Sequence, residues 1–210
     1  MEDLIAHLPR ILAAYSILLV AAISPGPAVA FLLGISATRG RGAALTATTG
    51  IAFGSTTINL LTMLGVGLLL AQAAWAMEVL RIAGAAYLLW LAYGAFRRAA
   101  HPPALTPAAL PGGSARLFAA GWLMQATNPK AIAFWLAIAA IGATEGAGPL
   151  TYAVFFTGAF AMSFVCHAAW ALLLSAAPVR SAYVAGRRWI EGALGTFFCF
   201  AAWKIAVSEN

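Results

Sequence analysis

Two long apolar runs in this chain are each interrupted near the middle by a polar residue and a proline, Ser24-Pro25 in the first and Asn128-Pro129 in the second. Proline removes a backbone donor and clashes with the preceding turn, while the residue before it is pushed away from helical angles. Each run is therefore predicted to be a helix broken at that point. Just beyond each break, ISATRGRGAAL at residues 35–45 returns as IGATEGAGPL at residues 141–150. Thr38 and Thr144, Gly40 and Gly146, and Gly42 and Gly148 all stand 106 positions apart. Pro25 and Pro129 are separated by 104, and Gly50 and Gly158, like Gly84 and Gly192, by 108. Spacing that steady predicts a duplicated chain, and broken helices at matching positions of two copies point to a transporter. The alternative is that alanine- and glycine-rich sequence matches itself by chance.

Composition says what solvent such helices meet. With 63% hydrophobic residues, 9% charged residues and a mean hydropathy of +0.90, a chain of 210 residues cannot hide its apolar side chains from water. Lipid must face much of the surface. A spanning helix takes about 20 apolar residues, and six runs qualify, at roughly 11–36, 43–70, 79–96, 117–142, 151–174 and 189–207. Three spans per half is an odd number, so the second half must cross upside down relative to the first. The expected fold is all-α and integral to the membrane: six transmembrane helices as two inverted three-helix repeats, the first and fourth broken at proline. The expected organisation is one transmembrane transporter domain over 1–210, with repeat 1 at about 1–98, a proline- and glycine-rich linker at about 99–115 and repeat 2 at about 116–210. Little chain is left for a soluble catalytic or nucleic-acid-binding module.

Glu2 and Asp3, in place of a basic cluster, and the length of the first run argue against a cleaved signal peptide. Cys166 and Cys199 fall inside spans with no ligand-spaced partner and read as small apolar packing residues. The net charge of +6 has an uneven distribution. Arg39, Arg41, Arg97, Arg98, Arg116, Arg180, Arg187 and Arg188 gather on one side of the six-span arrangement. Arg10, Arg81 and Lys204 fall on the other, with Glu2, Asp3, Glu78, Glu145 and Glu209. Cytoplasmic loops retain Lys and Arg, so the first side is expected inside, both termini outside, and the basic charge on anionic lipid head groups.

The breaks are where binding chemistry is expected. Ser24 can cap a new half-helix whose first residue is Pro25, and Asn128 and Pro129 repeat the arrangement. Gly26 allows close approach, and Pro27 is tolerated in a first turn whose donors lack partners. Free N–H groups are then expected at Gly26 and Ala28 in one half and at Lys130, Ala131 and Ile132 in the other. Aligned with a helix dipole at mid-membrane depth, such donors favour a carboxylate; the plainer alternative is a pair of kinks that shape the bundle. Lys130 is assigned to the substrate carboxylate, with capping of carbonyls freed at the opposite break as an equal alternative. Thr48, Ala52, Ser55, Asn59 and Thr62 share a helical stripe expected to line the path. Gly50 and Gly54 read as close helix packing. Ser163 and His167 share a face, and His167 stands 108 positions after Asn59; it could bind substrate, carry a proton, or simply pack. Gln125, one turn before Asn128, could face the same cavity, whereas Glu191 is expected in the first turn of the sixth span. The candidate substrate-binding set is Ser24, Pro25, Gly26, Pro27, Ala28, Asn59, Gln125, Asn128, Pro129, Lys130 and His167, with no metal site, no cofactor and no catalytic residue.

At these residues the chain resembles the LysE/RhtB family of bacterial amino-acid exporters. The likeness rests on Ser24-Pro25-Gly26-Pro27, on GRGAAL and TGIAFG up to Gly54, on LRIAGAAYLLWLAYGAFR at residues 80–97, and on Thr127-Asn128-Pro129-Lys130 with the Ala-Ile-Ala-Phe that follows. It implies a six-span bacterial inner-membrane protein, without bound cofactor, that expels amino acids or their derivatives using an ion gradient. The partners implied are a small zwitterionic amino acid, a coupling ion (proton or sodium) and lipid, with no nucleic acid; assembly with further copies is left open. The fourth span lacks the family's Pro-Gln-Phe-like ending, Ala28 stands where relatives often carry a polar residue, and an acidic residue common in the fifth span is absent. Without that acid the expected cargo is neutral rather than cationic. A metal-ion exporter of related fold and a non-transporting assembly subunit are the alternatives.

Overall fold

The computed structural model describes residues 2–70, 75–102 and 112–207, and within them every regular element is a helix. In chain order these are α1 (Glu2–Ile23), α2 (Pro27–Leu70), α3 (Trp75–Ala100), α4 (Ser114–Ala126), α5 (Pro129–Ala140), α6 (Pro149–Ser175) and α7 (Ala177–Val207). The two proline breaks fall where expected, between α1 and α2 and between α4 and α5. Straight, the 44 residues of α2 would run about 66 Å, twice the hydrocarbon thickness. It does not stay straight: Gly40, at φ 75° and ψ −177°, interrupts it and separates an arm over 27–39 from one over 41–70. Gly146, 106 positions later, has φ 72° in the turn between α5 and α6. The repeated Thr-x-Gly-x-Gly segment thus supplies a glycine-dependent reversal in both halves.

Sequence and structure part company at α7, which begins at Ala177 rather than near 189. Hydropathy alone misses residues 177–188 because Arg180, Arg187 and Arg188 dilute them, yet Pro178 suits a first turn. Arg180 Nη1 also donates to the last-turn carbonyl of Leu174 at 3.3 Å. Glu191 consequently lies mid-helix, not in a first turn. It is buried, and Arg98 meets it with Nε at 3.0 Å from Oε1 and Nη2 at 3.0 Å from Oε2. Residues 103–111 of the expected linker lie outside the described residues.

The major packing partners are α2 with α4 and α6, α3 with α7, and α1 with α6. Glycine sets the closest of these contacts. A Cβ on Gly50 would strike the backbone of Phe118 and Trp122, and one on Gly121 the backbone of Ala47, so α2 and α4 touch main chain to main chain. In the other half Gly158 leaves room for the ring of Tyr15, whose hydroxyl donates to Val154 O at 3.0 Å. At the start of α1 the Asp3 carboxylate accepts from Gly148 N–H at 2.9 Å and from the Thr151 hydroxyl at 2.5 Å, capping α6 from another helix.

The surface is unlike that of a water-soluble protein, and the interior carries many polar side chains beside its apolar core. Leu61, Leu64, Ile82, Leu89, Val165 and Trp203 are exposed, while Ser36, Thr48, Ser55, Asn59, Gln125, Asn128, Lys130 and His167 are buried. Helices α1 and α6 are each long and apolar enough to cross a bilayer, yet only 17% and 28% of their apolar windows are buried. Apolar faces turned outward require an apolar solvent.

Candidate functional site

The second break forms as its sequence dictates. Asn128 sits at φ −73° and ψ 110° ahead of Pro129, and its side chain accepts from Lys130 N–H at 3.1 Å, an N-cap on α5. Thr127 and Asn128 turn their own N–H groups back to Leu123 O and Gln125 O, each at 3.0 Å, closing the end of α4. The Ile132 N–H is bonded to Asn128 O at 3.0 Å. Of the three donors expected to be free here, Lys130 and Ile132 are therefore occupied; Ala131 N–H remains, because the cap serves only its neighbour.

The first break differs. Ser24 N–H still donates to Val20 O at 3.1 Å and its hydroxyl to Ala21 O at 3.1 Å, so Ser24 finishes α1 instead of capping α2. Gly26 takes the cap position, its carbonyl accepting Ala30 N–H at 2.9 Å, and Pro27 rather than Pro25 is the first residue of α2. The expected start, with Ser24 as cap and Pro25 as first residue, is therefore two positions early, because the Ser24 hydroxyl bonds back into α1. Ser24 alone closes α1 locally, because Pro25 and Pro27 have no N–H, and the carbonyls of Ser24 and Pro25 themselves are left for a more distant donor to close. Lys130 does so from the other half: its ammonium donates to Ser24 O at 2.7 Å and Pro25 O at 3.3 Å. A Cβ on Gly26 would come within 3.2 Å of the lysine Cδ, so the glycine makes room for that reach. Of the two roles open to Lys130, the geometry gives it the capping one, with one N–H left over.

Between the breaks lies a hollow of about 30 Å³, room for a water or two. The first break lines it with Ser24, Gly26, Pro27 and Ala28, and the second with Gln125, Asn128, Lys130 and Ala131. Ser163 and His167 close it from α6, Ser55 from α2, and Leu18, Phe134 and Trp135 supply apolar wall. Gln125 Oε1 accepts from Asn128 Nδ2 at 3.3 Å, linking the side chains of α4 and its break. Pro25 and Pro129 shape the breaks without lining the hollow.

Asn59 does not reach it. The residue is buried with Oδ1 unpartnered, but Ser55, one turn earlier, holds the place expected for it and accepts Trp135 Nε1–H at 3.0 Å. The polar stripe does face inward, since Thr48, Ala52, Ser55, Asn59 and Thr62 are all buried. Thr48 and Thr62 spend their hydroxyls on their own helix, at Ala44 O and Ile58 O. A sequence signal for the missed pair existed: 163 − 55 and 167 − 59 both equal 108, so Ser163 and His167 answer Ser55 and Asn59 across the duplication. Phe134 and Trp135 had no such mark.

A helical membrane protein in which two interrupted helices from opposite halves meet at one polar hollow has the build of a small-solute carrier. The chain belongs to the LysE type translocator family, which it matches over residues 19–209. It is 29% identical to the threonine efflux protein of Escherichia coli strain K12 over 187 residues, covering 86% of this chain and 89% of that protein. The threonine efflux protein of Salmonella typhi is 28% identical over the same extent. An uncharacterized membrane protein of Pseudomonas aeruginosa is 34% identical over 116 residues, covering 53% of this chain and 54% of that one. No solved structure matches the chain.

Proposed function

We propose that this chain is a secondary exporter of small zwitterionic amino acids, of the size of threonine, in the bacterial inner membrane. It works by alternating access: two inverted three-helix repeats, at about 1–98 and 116–210, rock as parts of one domain around the hollow at their breaks. The observation that carries this reading is that the starts of α2 and α5, from opposite halves, line the same hollow. There the substrate carboxylate meets Gly26 and Ala28 N–H on one side and Ala131 N–H with the remaining N–H of Lys130 on the other. With no carboxylate among the lining residues, a neutral side chain suits the cargo better than a cationic one. The hollow is smaller than an amino acid, so substrate enters only once the halves have parted. The relatives' names, threonine efflux protein, support the cargo class, and the arginine-rich turns support an orientation with both termini outside.

Purified protein in proteoliposomes, offered a panel of radiolabelled amino acids under imposed pH and sodium gradients, tests the reading. Gradient-driven movement of threonine or a similar neutral amino acid is the expected result. Absence of flux for every member of the panel would sink it.

A further inference from the structure

On α6, one turn apart, His167 and Ser163 offer the hollow two acceptors that nothing among the described residues uses. His167 Nδ1 lies 2.8 Å from the Ser163 carbonyl oxygen. A carbonyl only accepts, so in the neutral ring Nδ1 carries the hydrogen and Nε2 keeps its lone pair. Ser163 is 1% exposed, and its hydroxyl has no partner although most buried hydroxyls find one. Both residues line the hollow together with the residues that begin α2 and α5. The hollow thus brings neutral acceptors of α6 to the same space as the N–H groups of the breaks.

We propose that His167 Nε2, with Ser163 Oγ beside it, receives the ammonium group of the exported amino acid, and that a proton on the same nitrogen excludes that ammonium. This rests on the hollow being the amino-acid site. Imidazolium has two donors and no lone pair, so Nε2 cannot hold a proton and accept from an ammonium at once. It would also set one positive charge against another where water is scarce. Occupancy therefore alternates. Substrate leaves on the outer side, a proton from outer water takes the vacated lone pair, and that proton returns to water on the inner side before the next substrate binds. Export of one neutral amino acid is thereby exchanged for entry of one proton, with no sodium site required.

Of the ionisable groups around the hollow, this nitrogen is the one left without a partner among the described residues. Lys130, from α5, is the other ionisable side chain lining the hollow, and its ammonium is held by the Ser24 and Pro25 carbonyls. Glu191 on α7 is paired with Arg98 on α3. The contributions of α1, α2 and α4, such as Leu18, Ser55 and Gln125, are not ionisable. Tyr15 of α1 meets α6 farther along, at Val154 and Phe155.

The decisive measurement is proton release on substrate binding, made on the full chain in weakly buffered detergent between about pH 4 and 8, a range wide enough for a buried imidazole. L-Threonine is the first probe, or whichever neutral amino acid the flux panel selects. Binding should release up to one proton per site at the acid end, and affinity should fall about tenfold per pH unit once His167 is protonated. In proteoliposomes of His167→Gln, which keeps an acceptor but cannot titrate, exchange should slow, lose its pH dependence and no longer be driven by a pH gradient. Binding by the wild type without proton release overturns the proposal even if the variant fails to fold, and so does pH-driven accumulation that survives in His167→Gln. A wild type that binds none of the panel removes the amino-acid reading itself, which is a different failure.

Discussion

At the first break Pro25 and Pro27 stand two positions apart and bring no N–H, so the end of α1 has Ser24 to close it where the end of α4 has both Thr127 and Asn128. Lys130 fills that gap. Its assignment as a cap carries a stability consequence that a purely substrate-binding lysine would not: Lys130→Met leaves the Ser24 and Pro25 carbonyls short of a donor in a buried setting, at about 1–3 kcal/mol for such a group. The variant should therefore unfold at a lower temperature in detergent, with or without amino acid, besides losing transport. An unchanged midpoint would mean the carbonyls find another donor and would return the lysine to a binding role. The sequence made Lys130 conspicuous as a charge in an apolar run. It could not show its direction, because every residue has a carbonyl and the two that matter lie 105 and 106 positions earlier.

Among the elements, the legible ones were those whose boundaries rest on missing donors. Proline announced both breaks, whereas Gly40 and Gly146 stood in the sequence only as marks of the repeat, and their positive φ came from the backbone. What hydropathy could not place was the start of α7, whose first third is polar, and the one-turn choice between Ser55 and Asn59, which depends on how far α2 is rotated against its neighbours. The reversal at Gly40 gives a sharp test. Its φ of 75° with ψ of −177° is a region only glycine enters readily, so Gly40→Ala should cost about 1–3 kcal/mol although nothing lies within 4 Å of the added methyl. The seam between α2 and α4 gives the complementary case, in which the angles are ordinary and the space is not. Gly121→Ala drives a methyl into the Ala47 backbone and should cost about 1–3 kcal/mol, whereas Gly65→Ala on the open face of α2 should be neutral or slightly stabilising. Unfolding midpoints of the three variants in one detergent compare strain, overpacking and a control directly.

For the whole molecule, the principal contacts cross the midpoint of the chain: α2 leans on α4 and α6, α3 on α7 and α1 on α6, while α2 meets α3 and α6 meets α7 only lightly. Among the described residues the heaviest packing lies between the halves, so any rocking must slide those seams, including the one where Gly50 and Gly121 hold α2 against α4. Two breaks can face one hollow at the same depth, with a carrier's two gates at opposite ends, if the halves are inverted. Under the proposed inversion the two Thr-x-Gly-x-Gly turns would lie on opposite sides of the membrane, with the arginine-bearing one expected inside. Arg41 and Glu145, both exposed, report the two turns. In a background with Cys166 and Cys199 replaced by serine, a membrane-impermeant thiol reagent applied to intact cells should label Glu145→Cys and spare Arg41→Cys, and inside-out vesicles should reverse the pattern. Labelling of Arg41→Cys alone from outside would keep the inversion and overturn the orientation. Labelling of both from one side would make the halves parallel, and the shared hollow would then have to be a packing defect between kinked helices rather than the centre of a carrier.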